Sequence, residues 1–412
     1  MRQLPASAMA AVNGGLTVSQ RTGCIDMANQ LQGQSGSSQF GIEHEVAFWD
    51  QRRHQFADFS NTSFQRFADL IAALPTYDSD YDHLRVGDAG IRHKRWYIEG
   101  YERFSETGQL VGCTPKGIEI RTTLHSTIAG VLQELRQSFR QLEAIALADN
   151  LLPVLTSFNP VQSVYVPDPP LNAHELARCQ ASPAEQTEQL AMVTYGPDLN
   201  FSIQGLSVPA LIQAGQKLTY YSPAIVPFSF SASFYQQRPW SGLSVRTYKR
   251  TGLRPAVTVY VSQARDLVDV CPPLTKVAGL PCEVGRIEFK ACDSCGDFDR
   301  YGSLLALLKG LVLDQTLPGR AQVPDAQRHQ QSALQGFHDP DLQAQALTLL
   351  TAAKQALTDP QERQLLRPLW SLAEQPAHAA EGDRWQAGEP LVDILKSGYS
   401  PEVVMPTVTS AV

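Results

Sequence analysis

One stretch of the sequence alternates between apolar and acidic side chains: Gly41-Ile42-Glu43-His44-Glu45-Val46-Ala47-Phe48-Trp49. On an extended chain, residues two positions apart project from the same face, about 7 Å apart along the strand. Glu43 and Glu45 therefore share one face, and His44 lies on the apolar face behind them. Two like charges on one face repel each other unless a cation, an arginine or a proton relieves them. An ordinary solvated strand face is the alternative interpretation.

Three further stretches show the same alternation. In each, charged or amide side chains occupy one face and apolar side chains occupy the other. These stretches are Lys116–Thr123 with Glu119 and Arg121, Thr194–Ile203 with Asp198 and Asn200, and Gly285–Asp293 with Glu288, Lys290 and Cys292. Strands of this kind pair into one antiparallel sheet, with its apolar face on helices and its polar face lining a cavity.

Apolar residues at helical spacing predict helices between and after these strands. The first helix is capped by Asn61, Thr62 or Ser63, and the long second helix by Ser126 or Thr127. The predicted helices span about Asn61–Leu74, residues 126–149, a segment beginning near Pro209, residues 301–312, Asp341–Thr358, Pro360–Glu374 and Pro390–Ser397. A hairpin is expected within Arg95–Cys113, whereas the basic stretch Arg238–Arg250 is rich in turn-forming residues and is expected to be a loop.

The composition excludes several classes of protein. The chain has 412 residues, a net charge of −7 and a pI of about 5.7, which argue against a nucleic-acid partner and an anionic membrane surface. No apolar run approaches the ~20 residues of a transmembrane helix, and we find no secretory signal. Seven cysteines, an odd number, fit reduced thiols better than a disulfide framework. We therefore expect a cytoplasmic protein without a nucleic-acid or membrane partner.

The acidic strands predict a metal site. A sheet face that carries Glu43, Glu45, Glu119 and Glu288 is costly without cations. Carboxylate oxygens are hard ligands that suit Mg²⁺ or Mn²⁺, and Mg²⁺ is often shared with nucleotide phosphates. The four glutamates are therefore the candidate ligands of a metal–phosphate site.

At this point the sequence resembles the glutamate–cysteine ligase type 2 and carboxylate–amine ligase family. The resemblance covers roughly Phe40–Asp314, and its specificity lies in the order and spacing of motifs that are individually weak. These motifs are Gly41–Glu45, Ile118–Thr122, Phe158-Asn159-Pro160, Tyr195–Asn200, Ser241–Arg246 and Ile287–Asp293.

The resemblance implies an α+β fold of glutamine-synthetase-like type. In this fold a curved antiparallel sheet forms a funnel, helices pack on its outer face, and a helical C-terminal region follows. The Gln-, Ser-, Gly- and Ala-rich composition of residues 1–38 predicts a mobile tail, and the resemblance implies a ligase catalytic domain at 39–320. The Gln- and Leu-rich residues 321–412 predict a helical region packed on the same domain. The implied cofactors are ATP and Mg²⁺ or Mn²⁺.

The resemblance also implies a reaction and the residues that perform it. A carboxylate, the γ-carboxylate in glutamate–cysteine ligase, is phosphorylated by ATP and then attacked by an amine. Glu43, Glu45, Glu119 and Glu288 would hold the metals. The catalytic residues would be Arg246 and Lys290, the ATP-binding residues Arg246 and Lys249, and the substrate-binding residues Asp198, Asn200 and Arg121. This chain departs from the family pattern at Asp198 or Asn200, where members often have His, and at Lys290, where Arg is usual. The acid, the amine and the oligomeric state stay open.

Other interpretations compete with this one. Cys292-x-x-Cys295, with Cys271 and Cys282 nearby, is a zinc candidate, although irregular spacing favours free buried thiols. At the level of function, the alternatives are a ligase for a different acid and amine, a non-catalytic relative that binds a ligand, and a metal-dependent hydrolase or phosphotransferase.

Overall fold

A computed structural model describes residues 37–80, 84, 94–181, 186–250, 252–375 and 380–400 of the chain. Residues 1–36 of the predicted mobile tail lie outside these described ranges. Ser38, which was assigned to that tail, is already part of the first strand.

The chain alternates helices with strands. The strands are β1 (Ser38–Asp50), β2 (Gln55–Ala57), β3 (Trp96–Phe104), β4 (Leu110–Arg121), β5 (Leu151–Val154), β6 (Pro197–Ile203), β7 (Phe234–Tyr235), β8 (Arg238–Pro239), β9 (Val257–Val261), β10 (Thr275–Val277) and β11 (Ile287–Phe289). Nine of these described strands form one large sheet, and the other two, β7 and β8, form a separate small sheet.

The helices lie between these strands and after them. They are α1 (Phe64–Ala73), α2 (Ile128–Ala148), α3 (Ala173–Ala181), α4 (Glu188–Ala191), α5 (Val208–Ile225), α6 (Val245–Arg250), α7 (Asp299–Leu313), α8 (Ala326–Gln335), α9 (Pro340–Ala356), α10 (Pro360–Leu365), α11 (Arg367–Glu374), α12 (Ala380–Gln386) and α13 (Leu391–Lys396). In the part of the chain that is described, no helix is long and apolar enough to cross a bilayer.

Strand β1 is the centre of the sheet. The strand order is β10-β9-β11-β6-β1-β4-β3, so the N-terminal part of β1 pairs with β6 on one side and β4 on the other. Its last residues, Ala47–Asp50, pair instead with β2 and β5. The pairs are antiparallel except for β9 with β10. The observed α+β architecture confirms the predicted sheet with helices on its apolar face.

The apolar face of the sheet is covered by α1, α2, α5 and α7, and α9 packs on the outside of α7 and α5. Alternate residues of β1, including Ile42 and Val46, belong to one hydrophobic cluster with these helices. That cluster extends into α10 and α11 through the fully buried Leu366 and Leu369, so the C-terminal helices share the core of the sheet. Gly310 lets α7 and α9 approach closely, because a Cβ there would lie 2.7 Å from the Cβ of Ala353.

His44 lies in this core, as its apolar-face position predicts. Its ring nitrogens lie 2.8 Å from the hydroxyl of Tyr301 and 3.1 Å from the hydroxyl of Tyr399. Burial lowers the pKa of His44 to about 3, so the ring is neutral. The hydroxyl groups therefore satisfy a polar side chain that sits directly behind Glu43 and Glu45.

Most predicted element boundaries are confirmed, and the departures have local causes. Ser63 caps α1 and Thr127 caps α2 through their hydroxyl groups. The expected hairpin is β3–β4, and β4 runs on through the strand that was predicted separately. The predicted helix Pro360–Glu374 is instead two helices that meet at Leu366, where Pro368 begins a new first turn.

Two predictions about the polar stretches were wrong. The loop predicted at Arg238–Arg250 contains α6, whose helical phase places Arg246 and Arg250 on one side. Strand β11 ends at Phe289, so the alternation does not reach Cys292, which lies in the hydrophobic core rather than on the polar face.

Candidate active site

The polar face of the sheet lines a cavity of about 430 Å³. This volume is within the range of sites for small molecules and cofactors. The predicted residues that line it are Glu43, Glu45, Glu119, Glu288, Asp198, Lys290 and Arg246. The geometry therefore brings together seven of the ten residues singled out from the sequence.

Six of the eight described acidic residues that line this cavity form two groups of three. In each group, one carboxylate oxygen from every member lies within 4.8 Å of the others. The Asp198 cluster contains Glu43 of β1, Asp198 of β6 and Glu288 of β11, and the Glu99 cluster contains Glu45 of β1, Glu99 of β3 and Glu119 of β4. The two adjacent glutamates of β1 thus contribute to different clusters.

Basic groups accompany the Asp198 cluster. The ammonium of Lys290 contacts Asp198 Oδ2 and lies 3.0 Å from Glu288 Oε2. Burial opposes ionisation of Glu288, but Lys290 and Arg286 outweigh it and hold the pKa of Glu288 below its usual value. Burial, together with Glu288 and Glu43, raises the pKa of Asp198 to about 7 even though Lys290 acts against this shift.

The Glu99 cluster carries less positive charge. The ammonium of Lys116 lies 2.9 Å from Glu45 Oε2, and the amide of Gly196 donates to the same oxygen at 2.9 Å. Burial, then the charges of Glu99 and Glu43, raise the pKa of Glu119 well above its ordinary value. In the described ranges, no basic side chain forms an ion pair with Glu99 or Glu119. This cluster therefore needs a cation or a proton.

Four of the described arginines line the same cavity: Arg246, Arg250, Arg254 and Arg286. Burial, followed by the charges of Arg246 and Arg254, lowers the pKa of Arg250 well below its ordinary value. Clustered buried cations favour an anionic ligand for the same reason that clustered carboxylates favour a cation. One cavity therefore contains both the carboxylates that suit a metal ion and the arginines that suit the phosphate bound to it.

Arg246 is held in a fixed orientation. Its two terminal nitrogens donate to the carbonyls of Lys290 and Ala291, each at 3.0 Å. The guanidinium packs on Gly196, where a Cβ would lie only 2.2 Å from Nη2. A glycine is therefore required at position 196 for this approach, which explains why the predicted strand motif begins with Tyr195-Gly196.

The donor chemistry of the clusters fits a divalent cation that carries phosphate. All six ligand candidates are carboxylates, which are the oxygen donors that Mg²⁺ and Mn²⁺ take in such sites. The Asp198 cluster and the Glu99 cluster are the residues that would hold these ions.

Three of the predicted site residues lie elsewhere. Asn200 is buried in β6 beside the Asp198 cluster and does not line the cavity. Arg121 is buried with its guanidinium 5.2 Å from the ring centre of Tyr97, and its Nε donates to the carbonyl of Lys94. Lys249 is exposed and lies 5.3 Å from the ring of Tyr235, because α6 turns it away from Arg246 and Arg250.

The sequence analysis missed several cavity residues. Glu99 belongs to a stretch in which Trp96 and Ile98 face the core while Tyr97 and Glu99 face the cavity, and this alternation was a usable signal. Arg250 lies four residues after Arg246, but this spacing became informative only once the structure showed α6 to be a helix. For Lys116 we find no sequence signal.

Cys292 and Cys295 are both buried free thiols in the hydrophobic core. Burial raises the pKa of both, which disfavours the thiolate that binds zinc. The expectation of reduced cysteines without structural zinc stays a prediction.

Comparisons with known proteins place this geometry in context. No protein-family profile and no curated protein sequence matches the chain. Among solved structures, it is similar to glutamate–cysteine ligase from Francisella tularensis in complex with AMP, with a TM-score of 0.51 and 12% identity over 90% of this chain and 91% of that chain. It is also similar to a bifunctional glutathione synthetase from Pasteurella multocida, with a TM-score of 0.50 and 10% identity. That match covers 91% of this chain and 53% of the other, so this chain spans about half of it.

The chain therefore has the glutamine-synthetase-like fold of the carboxylate–amine ligases, as its motifs predicted. Glutamate–cysteine ligase shares that fold with it along nearly the whole length of both chains.

Proposed function

We propose that this protein is an ATP-dependent carboxylate–amine ligase, with glutamate and cysteine as the leading substrate pair. The observation that carries the proposal is the cavity itself, where two three-carboxylate clusters and four arginines meet on a ligase fold. In this proposal residues 39–320 form the catalytic domain, and residues 321–412 extend it.

The chemistry requires two displacements. A carboxylate oxygen of the acid attacks the γ-phosphorus of ATP, and the bond to ADP breaks. The amine nitrogen then attacks the acyl carbon, the amide bond forms, and phosphate leaves with the oxygen that came from the carboxylate. Mg²⁺ bound by the two clusters would supply neutralisation of the phosphate charge.

The protein contributes charge and orientation rather than covalent chemistry. Arg246, fixed by the carbonyls of Lys290 and Ala291, presents an oriented cation to the transferring phosphoryl group. Arg250 and Arg254 add positive charge to the same cavity, and an anion relieves their mutual repulsion. Burial of the clusters strengthens each of these interactions, because the local dielectric is low.

A ligase for a different acid and amine is the second candidate. Asp198 and Lys290 form an ion pair in the cavity at positions where the family pattern has other residues. Such a change of charge arrangement alters what the substrate end accepts more directly than it alters the ATP and metal site.

The test is a screen of ADP release over pairs of amino acids and amines. We expect release that requires Mg²⁺, an acid and an amine together, with glutamate and cysteine as the first pair. Glu119→Gln should abolish it, whereas Glu106→Gln, an exposed change outside the cavity, should not. ADP release that needs neither the acid nor the amine would indicate a hydrolase and contradict the proposal.

A further inference from the structure

The two carboxylate clusters differ in the cation that each already contains. In the Asp198 cluster, the ammonium of Lys290 contacts Asp198 Oδ2 and Glu288 Oε2. Glu288 also accepts a hydrogen bond from the hydroxyl of Tyr260 at 3.1 Å, and its other oxygen lies 3.7 Å from Arg286. Two of the three carboxylates of this cluster, Asp198 and Glu288, are therefore engaged with positive or donor groups.

The lysine beside the Glu99 cluster is bound in a different way. Lys116 is 2% exposed, and its ammonium donates to the backbone carbonyls of Ala191 and Thr194 at 2.9 and 2.8 Å. It contacts one member of the cluster, Glu45. Since the two carbonyls hold it at the edge, Lys116 leaves Glu99 and Glu119 without a neutralising cation among the described side chains, and Glu119 instead shares side-chain hydrogen bonds with Glu99 and Tyr97.

Lys290 differs because its main chain is fixed by hydrogen bonds, whereas its ammonium makes no bond to a backbone carbonyl of the described residues. Its amide donates to the carbonyl of Ala256, and its carbonyl accepts from Arg246, which fixes the main chain at the end of β11. Its side chain is 21% exposed and its ammonium bonds to carboxylates of the cluster itself. A long flexible side chain on a fixed backbone can move its charge while the sheet stays in place.

We propose that Lys290 is a tethered cation that occupies the Asp198 cluster, so that the first divalent cation binds at the Glu99 cluster and a second one enters only by displacing Lys290. The inference rests on the proposed function for the identity of the cation, since that reaction supplies Mg²⁺ with ATP. Displacement exchanges one positive group for another, and frees the ammonium of Lys290 for the phosphate that accompanies the second ion.

The test measures metal binding without ATP, acid or amine. Its result can therefore be interpreted even if the ligase proposal fails. Mn²⁺ is titrated into the metal-free full chain, and the free ion is followed by electron paramagnetic resonance. The wild type should bind one Mn²⁺ at least tenfold more tightly than the second. Lys290→Met should strengthen the second site about tenfold or more, and Glu119→Gln should remove the tight site. Lys290→Arg keeps the charge and should resemble the wild type.

A control and a second measurement keep the outcome decisive. Lys354→Met removes a lysine outside the cavity and should change neither site. Equal sites in the wild type, or a folded Lys290→Met protein with an unchanged second site, would overturn the proposal. If Lys290→Met does not fold, the order in which the two clusters fill can be measured by manganese anomalous scattering from wild-type crystals at increasing Mn²⁺ concentrations. The Glu99 cluster should fill first, and filling of the Asp198 cluster first contradicts the inference.

Discussion

Glu45 and Glu119 lie directly opposite each other in the antiparallel pair β1–β4, and Glu43 lies directly opposite Asp198 in β1–β6. Like charges at directly opposed positions destabilise a sheet by several tenths of a kcal/mol or more per pair. The central strand of this fold therefore carries a cost in stability on both sides. That cost is explained if the polar face serves a ligand rather than the folded state.

Replacing Glu119 by Gln should stabilise the protein in the absence of metal. The change removes a buried charge and keeps the shape of the side chain, so the midpoint of thermal unfolding in EDTA should rise by about 2 °C. Activity should fall by about a hundredfold or more, because charge neutralisation of the phosphoryl group is impaired.

Calorimetry with and without Mg²⁺ provides the control for that prediction. The wild type should gain more stability from Mg²⁺ than the variant does. A lower midpoint for Glu119→Gln in EDTA would mean that Glu119 stabilises the fold as an ordinary buried polar group, and the repulsion argument would be wrong.

Replacing Gly196 by Ala should disable the site without unfolding the protein. The new Cβ would lie 2.2 Å from Arg246 Nη2, so the guanidinium must leave its position on the carbonyls of Lys290 and Ala291. A displaced catalytic cation costs roughly a hundredfold in rate. ADP release and circular dichroism together measure this effect.

Gly112→Ala is the matched control, since a Cβ at that strand position meets nothing within 4 Å. Gly112→Ala should leave activity unchanged. Full activity in Gly196→Ala would show that the position of Arg246 does not matter for turnover.

Replacing Tyr301 by Phe should destabilise the protein by removing hydrogen bonds behind β1, the strand that carries Glu43 and Glu45. The hydroxyl of Tyr301 accepts from the amide of Cys295 at 2.8 Å and lies 2.8 Å from His44 Nδ1. Both groups are buried, and leaving them unsatisfied should cost about 2 kcal/mol in the free energy of unfolding. Urea unfolding measures this loss, and the exposed Tyr220→Phe should show almost none.

The ion pair between Arg103 and Glu175 should make stability depend on pH in the acid range. Hydrogen bonds from Arg103 are the main cause that lowers the pKa of Glu175 from 4.5 to about 2. A depressed folded-state pKa stabilises the protein above the unfolded-state value and loses that contribution as pH falls from about 4.5 towards 2.

Unfolding measured between pH 7 and pH 2 tests this prediction. Glu175→Gln should lower stability at pH 7 by about 3 kcal/mol, because Arg103 is left without its carboxylate. The difference from the wild type should shrink as pH falls. A constant difference across that range would contradict the assigned pKa.

The sequence allowed the sheet to be predicted because alternation in β1, β4 and β6 directly reflects one buried and one exposed face. It did not allow the sorting of carboxylates into two clusters. That sorting depends on register: Glu43 lies opposite the acidic Asp198 of β6 and the basic Arg121 of β4, whereas Glu45 lies opposite Glu119 of β4. Strand periodicity determines the face of a side chain but not its cross-strand neighbour.

The placement of Lys249 was misjudged for a related reason. The segment is rich in turn-forming residues and shows no helical periodicity. The direction of each side chain around α6, which rotates by about 100° per residue, could therefore not be assigned from the sequence. Once the helix is known, Arg246 and Arg250 share a side and Lys249 does not. Glu99 illustrates the opposite case, because its alternating strand was readable but was treated only as part of a hairpin.

The most direct test of the ligase proposal follows an oxygen atom. The acid that supports ADP release, glutamate in the first instance, is labelled with ¹⁸O in its carboxylate and incubated with ATP, Mg²⁺ and the amine. The phosphate product is then analysed by mass spectrometry. We predict that one ¹⁸O atom moves from the carboxylate to phosphate in each turnover, because the acid is phosphorylated before the amine attacks. Phosphate that carries no ¹⁸O, with three oxygens from ATP and the fourth from solvent, would contradict the account and indicate a hydrolase.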